Sequence, residues 1–312
     1  MSVEDAIESQ HHAFTSLARG EALLAPRLLI PGRDDSFGFV YAARNSVDAD
    51  LIIKAGAMVP ANLARGLSTI SAVVLVLDSV TGLPKALLDG TAVTDLRTVA
   101  ASAAVARTLC PTPKTVAIIG FGPQGQSHAR VLSEVLQPAQ LKIWARSATA
   151  DAVQAPNLPG ASLSRSCSEA LADADLGVLC TTSRNPVVEL GWLKPTATVM
   201  SLGSIAADRR EVGSDIVQAA RLLVDDIDTA MVQAGPIVHE LNAKTIVRED
   251  LEAIGDVMLG VDAGDPLRPR LTYYNSGGIG IQDAAVTAVI LERRSRPGSG
   301  RRWNYERRAS QR

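Results

Sequence analysis

The stretch Val116-Ala117-Ile118-Ile119-Gly120-Phe121-Gly122-Pro123-Gln124-Gly125 decides how this chain reads. Four apolar residues run into Gly-x-Gly-x-x-Gly. The first glycine permits a tight turn, the second lets the backbone approach a pyrophosphate, and the third lets helix and strand pack closely. Free N–H groups and a partial positive charge at the start of the next helix then face the phosphates. Pro123 opens that helix, where a missing N–H costs nothing. Alone the spacing is a weak motif. It gains weight because an apolar strand precedes it and a helix at 123–136 follows. Gly120, Gly122, Pro123, Gln124 and Gly125 are therefore expected at a dinucleotide, and a purely structural glycine turn is the alternative.

Toward the C-terminus, strands and helices alternate. Strands are expected at 141–145, 176–182, 198–202 and 222–225. Helices are expected at 166–172, at 214–220 and from 229. That alternation is the pattern of a doubly wound parallel sheet. Toward the N-terminus the pattern differs. A helix at 3–19 carries Ile7, Ala13, Phe14 and Leu17 on one face. Strands follow at 37–42, 51–57 and 72–78, and a hairpin returns at 84–88 over the turn Asp78-Ser79-Val80-Thr81-Gly82. An Ala-rich helix at 94–109 ends at Pro111-Thr112-Pro113. Near the C-terminus a strand at 271–274 leads through Ser276-Gly277-Gly278 into a helix at 282–293, which is expected to rejoin the first domain. The expected fold class is α/β, a Rossmann doubly wound parallel sheet plus a discontinuous α+β domain. The expected division is 1–110 with 268–292, then 111–267, then a tail at 293–312.

The bulk numbers set limits. The chain has 312 residues, 46 % of them hydrophobic, enough for two cores and too apolar for a disordered chain. No apolar run reaches the length of a membrane span. The acidic, polar N-terminus does not read as a secretory signal. Three cysteines without metal-like spacing suit a reduced, cytoplasmic setting. The net charge is −2, but residues 293–312 hold eight arginines and one glutamate. They carry +7 and the remainder −9. A single basic tail reads as a solvated segment, so neither nucleic acid nor membrane is expected as a partner. No metal cluster and no Ser-His-Asp arrangement stands out, and His128 on the glycine-loop helix reads as a packing or surface residue.

The nucleotide is read at the end of the second strand of the parallel sheet. An acid there would bind a ribose 2′-hydroxyl. The chain has Lys142-Ile143-Trp144-Ala145-Arg146-Ser147 instead. Arg146 suits a 2′-phosphate and Ser147 can donate to it. NADP(H) is therefore favoured over NAD(H). The alternative is a solvated loop arginine.

Several segments resemble one family, the ornithine cyclodeaminase/mu-crystallin family. They are Gly82-Leu83-Pro84-Lys85-Ala86-Leu87-Leu88-Asp89-Gly90, Thr94-Asp95-Leu96-Arg97-Thr98-Val99-Ala100-Ala101-Ser102-Ala103, and the glycine loop. They continue with Ile143-Trp144-Ala145-Arg146-Ser147, Leu202-Gly203-Ser204 with Arg210-Glu211 behind it, Val224-Asp225, and Tyr274-Asn275-Ser276-Gly277-Gly278 followed by Gln282-Asp283. The resemblance covers roughly residues 10 to 290. It implies a substrate and dimerisation domain built from both ends of the chain, a homodimer, and a small amino or imino acid whose carboxylate is held by basic residues. It places Arg27, Lys54 and Arg97 on that carboxylate, with Lys54 and Arg97 catalytic. It places Thr69, Arg97, Arg146, Ser147, Thr181, Leu202 and Gly203 on the cofactor beside the glycine loop.

The residues themselves agree in part. A carboxylate in a closed site needs compact cations to offset its desolvation. Lys54 and Arg97 are lone charges in apolar sequence. Replacing either is expected to cost activity and leave stability nearly unchanged. The plainer alternatives are a surface residue for Arg27, a strand-edge charge for Lys54 and a structural ion pair for Arg97. The chain also departs from the family. Ile205 stands where cyclodeaminases carry the acid that moves a proton, and Asp208 is expected to point elsewhere. Gln233 replaces a common glutamate and Asn275 a common lysine. The missing acid at Ile205 favours an imine or ketimine reductase, such as a pyrroline-2-carboxylate reductase, over a cyclodeaminase-type lyase, while Gln233 and Asn275 leave the particular substrate open. Alanine and opine-type dehydrogenases and a non-catalytic crystallin-like protein stay open. The family's strand before the first helix is not seen here, so a weakened dimer is expected if that strand joins the dimer sheet.

Overall fold

The structure is a computed structural model that describes residues 1–154, 158–204, 206–261 and 270–294. The expected basic tail lies, from 295 on, outside the described residues.

The first sheet is antiparallel. Its strands are β1 (Leu23–Leu24), β2 (Leu28–Pro31), β3 (Phe37–Arg44), β4 (Leu51–Met58), β5 (Ile70–Leu77) and β6 (Pro84–Asp89). The order is β1-β3-β4-β5-β6, and β2 pairs with the other end of β3. On β5, Ala72, Val74 and Val76 point into the core and Val73 points out, as the two-residue period of a half-buried strand requires. The inner face is covered by α2 (Gly90–Leu109) and α10 (Gly280–Arg294), and α1 (Val3–Ala18) packs on those two helices. The short strands β1 and β2 were not foreseen. All four residues of β2 are exposed, so they carry no burial pattern to read.

Helix α2 begins four residues earlier than expected. Asp89 caps it by accepting from the N–H groups of Thr91 and Ala92 (2.8 and 3.2 Å). The helix shows almost no amphipathic stripe because both sides are covered, by the first sheet and α10 on one side and by α3 (Pro123–Leu136) on the other. Ala100, Ala101, Ala103, Ala104 and Ala106 are all buried, and their small side chains permit that double approach. One continuous core therefore runs from Phe14 and Val76 through α2 to Leu132 and Ile118.

The second sheet is parallel, with strands β7 (Thr115–Ile119), β8 (Gln140–Trp144), β9 (Ala161–Leu163), β10 (Leu176–Leu179), β11 (Thr198–Ser201), β12 (Arg221–Val224), β13 (Leu251–Ala253) and β14 (Thr272–Asn275). Its order is β13-β12-β14-β11-β10-β7-β8-β9. The strand order reverses between β7 and β10, which is the crevice where doubly wound sheets bind ligands. The faces are covered by α3, α4 (Ala150–Gln154), α5 (Cys167–Leu171), α6 (Ser214–Ala219), α7 (Ile227–Gln233), α8 (Gly235–Ala243) and α9 (Ile254–Met258). Strands β7, β10 and β11 are buried at every residue, hence their unbroken apolar sequence.

One expectation needs correction. The division at 267/268 assigns the strand at 271–274 to the other domain. β14 instead lies inside the parallel sheet, between β11 and β12. The chain crosses from one sheet to the other only after it, over Ser276-Gly277-Gly278-Ile279, and α10 then packs on α1, α2, β3 and β4. Among the described residues no helix is long and apolar enough to cross a membrane.

Candidate active site

The strands of the second sheet run parallel, so the residues that follow them leave one common edge. Gly120 follows β7, Thr181 β10, Leu202 and Gly203 β11, Asp225 β12 and Ser276 β14. The glycine loop on this edge suits a dinucleotide. Gly120 has φ +95°, and a Cβ there would stand 2.5 Å from the Cys180 carbonyl oxygen. A Cβ at Gly125 would stand 1.9 Å from the Gly120 carbonyl oxygen, so loop and helix touch backbone to backbone. At Gly122 an added Cβ would meet nothing within 4 Å. Gly122 caps α3 with no side-chain hydrogen bond, and Pro123 follows it. The first N–H groups of the helix are thus left for an anion.

Two further contacts tie this helix to α2. Gln124 Nε2 donates to Asp95 Oδ1 (3.1 Å), and His128 lies between the Gln124 carbonyl (2.7 Å) and the Ser102 hydroxyl (2.9 Å). His128 is fully buried and burial pushes its pKa down to about 4. It joins the two helices as a neutral ring.

Helix α2 carries Arg97 and β4 carries Lys54, and α10 brings one carboxylate to both. Asp283 Oδ1 lies 3.0 Å from Lys54 Nζ and 3.6 Å from Arg97 Nε. Arg97 Nη1 donates to Gln282 Oε1 (2.7 Å). Lys54 is not a strand-edge charge, because β4 runs between β3 and β5 and the side chain is 3 % exposed. Burial pulls its pKa down to about 8, against the pull of Asp283, and Arg97 and Arg27 push in the same direction as burial. Arg27, half-buried, donates to the Tyr41 hydroxyl (2.5 Å), and the Tyr41 ring lies beneath both Arg27 (5.2 Å) and Lys54 (5.6 Å).

The crossing segment closes this cluster. Gly278, at φ +71°, lies against the guanidinium, and a Cβ there would stand 2.9 Å from Arg97 Nη1. Its N–H donates to Asp225 Oδ2 (2.7 Å), and the Tyr274 hydroxyl donates to Oδ1 of the same carboxylate. Burial raises the Asp225 pKa. Among the described residues Arg97 Nε and Asn275 Oδ1 are buried without a hydrogen-bond partner.

The other expected residues are spread along the edge. Arg146 and Ser147 are exposed just past β8, and Arg146 makes no ion pair among the described residues. Thr69, half-buried, leads into β5, and its carbonyl accepts from Val59 N–H (2.8 Å). The Thr181 hydroxyl and N–H are both bonded to Glu211. Asp208 is exposed, 3.6 Å from Arg184. Ile205 lies outside the described residues. Asp283, Gln282, Tyr41 and Glu211 were not singled out as site residues in the sequence. An acid and an amide just inside the last helix, after Ser-Gly-Gly, were the available signal for Asp283 and Gln282.

Loop, crevice and sheet order define a dinucleotide-binding fold. Residues 1–297 match the Ornithine cyclodeaminase/mu-crystallin family, and the chain belongs to that family. A Delta(1)-pyrroline-2-carboxylate reductase 1 from Burkholderia multivorans is 32 % identical over 255 residues, 80 % of this chain and 80 % of that protein. The solved Delta(1)-pyrroline-2-carboxylate reductase of Thermococcus litoralis, in complex with NADH and L-proline, is 27 % identical. It superposes with a TM-score of 0.90 over 97 % of this chain and 96 % of its own. An archaeal alanine dehydrogenase dimer with bound NAD is 26 % identical, with a TM-score of 0.89 over 98 % and 95 %.

Proposed function

We propose that this chain reduces the carbon–nitrogen double bond of a small cyclic imino acid to give the amino acid. The observation that carries the reading is the buried cluster of Lys54 and Arg97 with one shared carboxylate, Asp283. Asp225 and Asp95 also act on Arg97 electrostatically, so what the cluster leaves open is a buried donor rather than a count of surplus charge. A substrate carboxylate is the group that would accept from Lys54 and from Arg97 Nε, which among the described residues has no hydrogen-bond partner. Arg27, which shares the Tyr41 ring with Lys54, adds a third cation for the same carboxylate.

A bound reduced nicotinamide would supply a hydride to the imine carbon, and a proton from solvent would complete the amine at nitrogen. The chain's own part is to bind and orient. Lys54, Arg97 and Arg27 hold the carboxylate beside the reacting carbon and favour the electron-rich transition state. Gly278 lies against the guanidinium, and its N–H is bonded to Asp225. On the cofactor side, Gly120, Gly122, Pro123, Gln124 and Gly125 take the pyrophosphate, with Thr69, Thr181, Leu202 and Gly203 along the crevice. NADP(H) is preferred over NAD(H), since the loop after β8 offers Arg146 and Ser147 and no acid. The solved relatives hold NADH and NAD, so that preference rests on this chain's own loop. The working unit is a homodimer in the cytoplasm. Exposed Leu28, Leu29, Ile30, Val73 and Leu87 on the first sheet support the former, and the free thiols of Cys110, Cys167 and Cys180 the latter.

The likeness to an alanine dehydrogenase favours one second reading, reductive amination of a small 2-oxo acid. One panel separates the two. Purified protein is incubated with NADPH or NADH and five- or six-membered cyclic imino acids, pyruvate with ammonia or amines, or ornithine. Cofactor oxidation with the cyclic imino acids alone is the expected result. Turnover confined to pyruvate and ammonia selects the second reading, and proline formed from ornithine selects a cyclodeaminase.

A further inference from the structure

We propose that Glu211 is a positioning residue for hydride transfer, holding the two loops at the nicotinamide end of the crevice in one arrangement. The inference rests on the oxidoreductase reading above. Arg146 follows β8, so the adenosine half lies on the β8 side of the switch point and the nicotinamide half on the β10 and β11 side.

Glu211 is fully buried behind that second half. Its Oε1 accepts from the Thr181 N–H and from the Thr181 hydroxyl, both at 2.7 Å. Its Oε2 accepts from the Gly203 N–H and from the Ser201 hydroxyl, both at 2.7 Å. One carboxylate thus fastens the loop after β10 to the loop after β11. Among the described residues no cation pairs with it; burial raises its pKa, and the four donors pull the other way.

The two loops leave no slack around it. A Cβ at Gly203 would stand 2.0 Å from the Thr181 carbonyl oxygen and 2.8 Å from the Glu211 carboxyl. The Thr181 methyl sits 3.3 Å from where a Cβ of Gly120 would be. Glu211 therefore sets the distance between the phosphate loop and both nicotinamide-side loops through Thr181. Only a carboxylate can do this. Each of its oxygens faces a backbone N–H, which cannot turn round as a hydroxyl can. Glutamine would put its NH₂ group against one of those N–H groups whichever way it lies.

Full-length protein carrying Glu211→Gln is titrated with NADPH and NADH by fluorescence, with its fold followed by circular dichroism. The expected result is a folded protein whose cofactor dissociation constant rises about tenfold or more. At saturating cofactor, kcat falls while the KM for the imino acid moves little. A merely structural role lowers the folded fraction and leaves the dissociation constant alone. A folded Glu211→Gln protein with native cofactor affinity and native kcat overturns the proposal. If that variant does not fold, Ser201→Ala carries the test, because it removes one hydroxyl from Oε2 and keeps both backbone donors. Its dissociation constant should rise about threefold, and no change overturns the proposal. The titration needs no substrate. A native protein that binds cofactor but reduces no imino acid defeats the proposed function and leaves this test standing.

Discussion

The ammonium of Lys54 lies 3.0 Å from the carboxylate of Asp283, and neither side chain is more than 3 % exposed. This pair alters what the sequence suggests for Lys54. A lone cation in an empty site could be removed at little cost to the fold. A paired one cannot, because its partner is left charged and buried. We expect Lys54→Met to destabilise the protein by about 3–5 kcal/mol. Adding Asp283→Asn should recover most of that loss in thermal unfolding. Activity should not return in the double variant, where kcat/KM for an imino acid stays lowered about a hundredfold, roughly 2.7 kcal/mol. A Lys54→Met protein as stable as the native one would mean that Arg97 suffices to hold Asp283.

The same burial gives Lys54 a pH signature. In the unfolded chain it holds its proton to about 10.5, and in the folded chain only to about 8. Between those values the unfolded chain binds more protons, so this residue's contribution to stability rises with pH across that window. Substrate binding has the opposite slope, because a carboxylate needs the ammonium. The kcat/KM for the imino acid should fall as pH passes about 8, with cofactor affinity unchanged. Lys54→Arg keeps its charge and should lose this alkaline limb. An identical limb in Lys54→Arg assigns the titration to another group.

The glycine loop makes two different demands, and substitution should separate them. Gly122 has open space around its missing Cβ. Gly122→Val should therefore fold with near-native stability and bind no cofactor, since the side chain fills the place of the pyrophosphate. Gly125 has the Gly120 carbonyl 1.9 Å from its missing Cβ. Gly125→Val should fail at the level of folding, seen as a lost or strongly lowered thermal transition. Normal cofactor titration by folded Gly122→Val would show that the loop does another job.

What the sequence disclosed follows the range of the interactions involved. The glycine loop was legible because its demands are met within ten residues, by local backbone geometry and a helix start. Lys54 and Arg97 stood out as charges in apolar surroundings. Asp283 did not, because the partner it serves lies 229 residues away in the chain. Glu211 was quoted only as part of a motif, since nothing local tells that Thr181 and Gly203 converge on it. The period of apolar residues identified β14 as a strand but could not say which neighbours it pairs with. Strand order in a parallel sheet is set by crossovers and packing, not by the strand's own residues. Helix α2 was legible in its middle and missed at its start, where the cap is a single aspartate, Asp89.

The nucleotide preference rests on Arg146, and its surroundings make the test clean. The guanidinium is exposed just past β8 and makes no ion pair among the described residues. Removing it should not disturb the fold. It stands in the segment where NAD-specific sheets carry an acid for the ribose hydroxyls, and no acid stands in Ala145-Arg146-Ser147. One charge-assisted contact to a 2′-phosphate is worth about 1.5–3 kcal/mol. Arg146→Ala should raise the NADPH dissociation constant accordingly, by roughly ten- to a hundredfold, and change the NADH constant little. The NADPH effect should also shrink with added salt, because both charges are partly in water. Ser147→Ala should cost less, since a neutral hydroxyl contributes about half as much as a charged donor. Equal affinity of the native protein for the two reduced cofactors would sink the assignment. Both affinities falling together in Arg146→Ala would instead place the guanidinium on the adenine or the pyrophosphate, which the two cofactors share.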